Sequence, residues 1–118
     1  MKSENDHESL VLIEQIKSGE LLESLITQLK KDADLTGLTM EIPMTSSPGQ
    51  LVSYLHQWLL HLMTTDFTSY LNFLYRVDIP ESSMRAIRET DAVLIAQKAT
   101  YLLLRRELSK VITRSKNR

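Results

Sequence analysis

The sequence contains no cysteine, so disulfide bonds and thiolate metal sites are excluded. Its three glycines and three prolines are too few and too scattered to form a glycine-rich phosphate loop. It has no Walker motif, no Gly-x-Ser-x-Gly nucleophile elbow and no His-Glu-x-x-His zinc motif. His56 and His61 are five residues apart and point about 140° from each other on a helix, so they cannot share a metal ion. We therefore expect no cofactor and no metal, and favour a non-enzymatic protein over an enzyme.

The sequence also lacks a long hydrophobic run. Residues 42–65 carry no formal charge, but prolines and polar side chains interrupt them, and the continuous helical part from Leu51 to Met63 is shorter than the ~20 residues that cross a bilayer. The first nine residues include three acidic side chains and do not resemble a signal peptide. We expect a cytoplasmic protein that does not enter the membrane.

The composition, with 42% hydrophobic and 25% charged residues, is typical of a folded globular protein. Apolar residues recur at helical spacing through most of the chain, and the alternation typical of strands is nearly absent. The sequence predicts an all-α fold: a single domain over residues 1–118, built as a bundle of four to five helices with the C-terminal helix at its centre. Residues 1–5 and 115–118 are expected to be frayed tails. Residues 36–44 are the one segment that could pair as a short strand and so depart from the all-α prediction.

Local patterns predict where the helices begin. Gly19 kinks or splits the first helix, because glycine is unfavourable inside helices. Ser47 to Gln50 form a capping box, Thr65 or Asp66 caps a third helix, and Thr90-Asp91 precedes a last helix over about residues 92–114. The expected core comprises Leu55, Trp58, Leu59, Leu62, Phe67, Leu71, Leu74, Val77, Ile95, Ala99 and Leu102.

The segment Asp78-Ile79-Pro80-Glu81 places two carboxylates close together. One hypothesis is a ligand or active site near residues 75–81 that includes Tyr75 and Arg76. The other is a helix cap, because carboxylates at a helix N-terminus satisfy free N–H groups and the helix dipole. We favour the cap.

Charge is distributed unevenly along the chain. Residues 1–60 contain nine acidic and four basic side chains (net −5), whereas residues 61–118 contain six acidic and ten basic side chains (net +4). Arg106, Lys110, Arg114 and Arg118 recur at four-residue spacing on the last helix. This face is suited to a nucleic-acid backbone, but we favour a solvated face or one paired with Glu14, Glu20 and Glu23.

Surplus apolar residues suggest self-association. Leu60 lies in the middle of the polar arc of the second helix, and such surplus surface marks an interface. The alternative is that the loop carrying Leu38, Met40, Ile42 and Met44 folds back over it. We expect an interaction or regulatory protein that acts through a helical surface, as a homodimer or with another protein. The candidate interaction surface comprises Leu60, Tyr75, Arg76, Arg106, Lys110 and Arg114.

The segments "DFTSYLNFLYRVDIPE" (66–81) and "RRELSKVITR" (105–114) resemble a group of short, uncharacterised all-helical bacterial proteins. The likeness covers about the C-terminal half of the chain. It implies a helical fold and brings no catalytic residues with it.

Overall fold

The computed structural model describes residues 4–16 and 18–116, and every regular element within them is a helix. The six helices in this part of the chain are α1 (Glu4–Glu14), α2 (Gly19–Leu35), α3 (Pro48–Thr65), α4 (Phe67–Val77), α5 (Glu81–Arg85) and α6 (Ala92–Lys116). The Cα radius of gyration is 13.4 Å, close to the value of ~13 Å for one domain of about 100 residues. The all-α single-domain prediction is confirmed, and the count exceeds four to five because α1 and α2 are separate and α5 is a single turn.

The C-terminal helix α6 is central, as expected: it packs against α1, α2, α3 and α4. Its first half is buried at Ala96, Ala99, Leu103 and Leu104, and the two alanines leave room for neighbouring helices to approach closely. The other helices bury their apolar faces around it. The fully buried large side chains are Ile13, Leu25, Ile26, Leu29, Ile42, Leu51, Leu55, Leu59, Phe73, Leu74, Leu103 and Leu104.

The helix starts follow the local signals. At α3 the Ser47 hydroxyl accepts a hydrogen bond from the Gln50 N–H at 3.2 Å, and the Gln50 side chain accepts one from the Ser47 N–H at 2.8 Å, which completes the capping box. At α6 the Asp91 carboxylate accepts from the N–H of Val93 at 2.8 Å. Gly19 is the first residue of α2 and follows the N-cap residue Ser18. The predicted first helix is therefore split into α1 and α2 and is not a single kinked helix.

The loop between α2 and α3 folds back over the bundle. The Trp58 indole N–H donates to the carbonyl of Thr39 at 3.0 Å, and the Glu41 N–H donates to the Tyr54 hydroxyl at 2.7 Å. These bonds hold Met40 and Ile42 in the core. No strand forms at residues 36–44, all of which the structure describes. The loop therefore covers apolar surface within the chain through Met40 and Ile42, whereas its Met44 is 40% exposed.

The predicted core is correct for Leu55, Leu59, Leu62, Leu74, Val77 and Ala99, which are buried. Trp58, Leu71, Ile95 and Leu102 are half-buried. Phe67 was placed wrongly: 56% of its surface is exposed. It is the first residue of α4, directly after the turn at Asp66, so its side chain stacks on Tyr70 with ring centroids 5.6 Å apart instead of entering the bundle.

The segment at residues 78–81 separates α4 from α5. Asp78, however, caps the C-terminal end of α4 and not the N-terminal end of α5. It ends α4 in the left-handed conformation (φ 75°), and its N–H bonds to the carbonyls of Leu74 and Tyr75. Aspartate tolerates this conformation better than most residues. Pro80 precedes α5 and no side-chain hydrogen bond caps that helix. Asp78 is thus a C-terminal cap of α4, not an N-terminal cap of α5.

The chain ends are helical as far as the structure describes them. Residues 4, 5, 115 and 116, which we expected to belong to frayed tails, lie within α1 and α6, and the remainder of those tails is outside the described residues. None of the described helices is long and apolar enough to span a membrane.

Ser47→Ala should lower the free energy of unfolding by about 1 kcal/mol, because it removes the acceptor that caps α3. Thermal and urea denaturation measure the change. The matched control is Ser53→Ala, an exposed serine inside the same helix, which should change stability by less than ~0.5 kcal/mol. Equal losses in the two variants would contradict the capping assignment.

Candidate functional site

An apolar groove lies between α4 on one side and α5 with the start of α6 on the other. Its volume is about 290 Å³. On α4, Phe67, Leu71 and Tyr75 are four residues apart and form one stripe along the helix. The groove is lined by Met63, Phe67, Tyr70, Leu71, Tyr75, Glu81, Met84, Arg85, Ile87 and Ile95.

The groove stays open because α5 is one turn long and buries none of its residues. Two aromatic side chains at its edge are exposed, Phe67 at 56% and Tyr75 at 47%. Glu81 and Arg85 pair with each other at 3.0 Å, so this rim carries no net charge from them. Burial raises the pKa of Tyr70 to about 12, so its hydroxyl remains protonated in the groove wall. The groove is an open, largely apolar surface.

A second feature is the buried polar cluster, which consists of Gln28 and Asp32 from α2 and Glu107 and Lys110 from α6. Lys110 Nζ donates to Asp32 Oδ2 at 3.0 Å, and Gln28 Nε2 donates to the same oxygen at 3.1 Å. Lys110 Nζ also lies 2.9 Å from Glu107 Oε1, an ion-pair distance without hydrogen-bond geometry. The Asp32 side chain is 3% exposed, that of Glu107 0% and that of Lys110 19%. The cluster joins the two helices inside the bundle.

Two arginines contact the cluster, and a third, Arg106, pairs with Asp78 at the end of α4. Arg114 donates to the side-chain oxygen of Gln28. Arg76 on α4 has its Nε 3.9 Å from Asp32 Oδ1, a loose contact by a half-exposed side chain. Arg106 pairs with Asp78 at 3.1 Å and so ties α6 to the end of α4. Arg106, Lys110 and Arg114 of the C-terminal helix therefore contact partners within the chain.

The two buried carboxyl groups have opposite pKa shifts. Burial alone would raise the pKa of Asp32, but hydrogen bonds with Glu107, Gln28 and Lys110 outweigh burial and hold its pKa below the ordinary value of 3.8. Burial, together with the neighbouring Asp32, raises the pKa of Glu107 to about 8. The shifts favour the ionised form of Asp32 and the protonated form of Glu107.

The candidate interaction residues fall into separate places. Tyr75 lines the groove, while Leu60 is half-buried on α3 and does not. Arg76, Lys110 and Arg114 converge on the buried cluster, and Arg106 meets Asp78. We had expected Glu14, Glu20 and Glu23 as partners of the basic face. The contacts that form instead use Asp32, Asp78, Glu107 and Gln28, and Arg118 lies outside the described residues.

Sequence reasoning missed Gln28, Asp32 and Glu107 as parts of a site. The signal was present: Asp32 continues the spacing of the buried Leu25 and Leu29, and Glu107 lies four residues before the buried Val111. A polar side chain at an apolar position of a helix predicts a buried partner. The identity of that partner, more than seventy residues away, depends on the packing of α2 against α6.

Within residues 4–16 and 18–116, no three or more His, Cys, Asp or Glu side chains are grouped so as to hold a metal ion. No family model, curated protein or solved structure matches the sequence.

Asp32→Ala should lower the free energy of unfolding at pH 7 by about 3 kcal/mol, because it leaves Lys110 and Gln28 without their buried acceptor. The pKa of Asp32 is lowered on folding, so its contribution is present above pH 3.8 and is lost as the pH falls below that value. The difference from the wild type should therefore shrink in acid. Urea denaturation at pH 7 and pH 3 measures both effects.

Asp34→Ala is the matched control, since it removes the same charge from an exposed position of the same helix. It should change stability by less than ~0.5 kcal/mol. If both variants lose equal stability at pH 7, the loss comes from removing a negative charge from α2 and not from breaking the buried cluster.

Proposed function

We propose that this protein is a non-enzymatic interaction module that docks through the apolar groove, and that the partner in the groove is a second copy of the chain. The observation that carries the proposal is the exposed aromatic pair, Phe67 and Tyr75, beside a concave apolar surface. Aromatic side chains and methionine are enriched in the cores of protein interfaces.

The patch is suited to pairing with itself. A two-fold symmetric interface uses the same surface of both subunits, so that surface must offer both the projecting and the receiving part. Here the stripe of Phe67, Leu71 and Tyr75 on α4 is the projecting part. The space between that stripe, Met84 and Ile95 is the part that would accept a side chain of the second copy. An antiparallel pair of α4 helices would place an aromatic side chain of each copy in the groove of the other.

The size and chemistry of the groove favour a protein side chain over a small substrate. Its volume of about 290 Å³ is at or below the lower limit of typical ligand pockets, which span ~300–1,000 Å³. Its polar side chains, Glu81 and Arg85, are bonded to each other and do not converge on a ligand. Met63 and Met84 adapt to irregular apolar shapes, as methionine does at binding surfaces.

The contacts of the basic side chains support this choice over nucleic-acid binding. Lys110 and Arg114 are bonded within the bundle, and Arg106 pairs with Asp78, so a phosphate backbone would have to displace partners in the same chain. A reaction centred on residues 75–81 also has less support. Asp78 and Glu81 are each paired with an arginine, an arrangement that stabilises two carboxylates without aiming them at a substrate.

Light scattering coupled to size exclusion at ~100 μM protein should give the mass of a dimer, since a complex with a Kd of ~10 μM is mostly associated there. Phe67→Glu should give a monomer, because burying an unpaired carboxylate in the contact costs several kcal/mol and weakens binding roughly a hundredfold or more. Phe67 is exposed in the single chain, so the fold of the variant should be retained, as circular dichroism checks.

The matched control is Leu35→Glu, at an apolar side chain that is 54% exposed and does not line the groove. It should remain a dimer. A monomeric wild type at ~100 μM, or a dimer that Leu60→Glu dissociates and Phe67→Glu does not, would overturn the assignment of the groove.

A further inference from the structure

The two oxygens of Glu107 are buried and have no hydrogen-bond donor among the described residues. Their neighbours explain why. Asp32 Oδ2 and Glu107 Oε1 lie 3.0 and 2.9 Å from the same Lys110 Nζ, so the two carboxyl groups are neighbours, and two ionised carboxylates have no proton between them to form a hydrogen bond. Lys110 is near enough for an ion pair, yet it directs its hydrogen bond to Asp32. A buried polar group without a partner requires an explanation, and a proton on Glu107 supplies the missing donor.

Charge balance requires the same proton. With both carboxyl groups ionised, the buried cluster contains two negative charges and one positive charge, that of Lys110. Arg76 does not restore the balance, because its Nε is 3.9 Å from Asp32 and its side chain is half exposed, and Arg114 bonds to the Gln28 amide instead of a carboxylate. An uncompensated buried charge costs several kcal/mol. One proton makes the cluster neutral.

The hydrogen bonds decide which carboxyl group holds the proton. Asp32 accepts from both Lys110 and Gln28 through Oδ2, and donors that favour the ionised form keep it charged. Glu107 Oε1 lies 2.9 Å from Lys110 Nζ, but that contact lacks hydrogen-bond geometry. Burial raises the pKa of Glu107 to about 8 while that of Asp32 is lowered, in agreement with this division.

We propose that Asp32 and Glu107 form a proton-binding site that holds one proton at neutral pH, carried by Glu107 and donated to Asp32, and that loss of this proton in alkali weakens the contact between α2 and α6.

The direction of the pH effect follows from the proton count. The unfolded chain releases the proton of Glu107 near its ordinary pKa of 4.5, whereas the folded chain keeps it until about pH 8. The contribution of the Glu107 proton to stability is thus fully present below pH 4.5 and declines as the pH rises toward 8. At that point two carboxylates face each other in the core with one ammonium between them.

The charged and titratable groups around Glu107 come from each helix that packs on α6. They are Asp32 of α2, Arg76 of α4, and Arg106, Lys110 and Arg114 of α6 itself. The buried titratable side chain of α3 is His56, and α1 carries the exposed His7, Glu8 and Glu14. The tests below therefore include a variant that removes the His56 imidazole.

The direct test is a titration of the wild-type protein, labelled with ¹³C, in which the side-chain carboxyl resonance of Glu107 is followed from pH 4 to 9.5. The resonance should remain that of the protonated acid through neutral pH and change with a midpoint above pH 7, while Asp32 stays ionised above pH 5. His56→Gln should leave the midpoint of Glu107 unchanged. A Glu107 midpoint below pH 7 would overturn the proposal.

A second test uses Glu107→Gln, which keeps a neutral donor at the same place and removes the titration. Between pH 5 and 8 the folding equilibrium constant of the wild type should fall roughly a hundredfold or more relative to this variant. The control Glu23→Gln changes an exposed glutamate of α2 and should follow the wild-type profile. If Glu107→Gln also follows it, the proton site does not exist. If that variant does not fold, the carboxyl titration of the wild type still decides.

Discussion

The ion pair of Asp32 with Lys110 is the contact on which the arrangement of this bundle depends. It joins α2 to the central helix α6 across 78 residues of sequence, in a place where the Asp32 side chain is 3% exposed. Two charges removed from water each cost several kcal/mol, so such a pair forms only where both partners are well placed. A slide of α2 by one turn along α6 would separate Asp32 from Lys110 and Gln28 from Arg114. Apolar contacts alone tolerate such shifts more readily.

Much of the fold follows from local sequence signals. The capping box at Ser47 and the cap at Asp91 begin α3 and α6 where the pattern predicts, because both ends of each hydrogen bond lie within four residues. The sequence-based prediction failed for side chains whose contacts come from residues distant in sequence, and for residues at the ends of helices. Phe67 fits the apolar pattern of α4, but its position in the first turn places it outside the bundle. Asp78 ends α4 and pairs with Arg106, a partner that only the packing of α6 supplies.

The basic face of α6 shows how packing changes the meaning of a sequence pattern. Residues at four-residue spacing on a helix form one face, and four cations on it suggest an anionic partner. In the bundle Lys110 and Arg114 turn to the buried cluster, and Arg106 turns to Asp78. The surface proposed to bind a partner is the apolar groove beside α4, which the sequence indicated only through Tyr75. The candidate site was thus less predictable than the fold, because it consists of residues from four helices.

The central claim is that Asp32 and Lys110 interact strongly as a buried pair. A double-mutant cycle with Asp32→Asn, Lys110→Met and the combined variant isolates that interaction, with stability measured by urea denaturation at pH 7. The account predicts a coupling energy of about 1 kcal/mol or more in favour of the native pair, above the value typical of exposed pairs. A coupling energy below ~0.5 kcal/mol, as found for pairs at the surface, would contradict it.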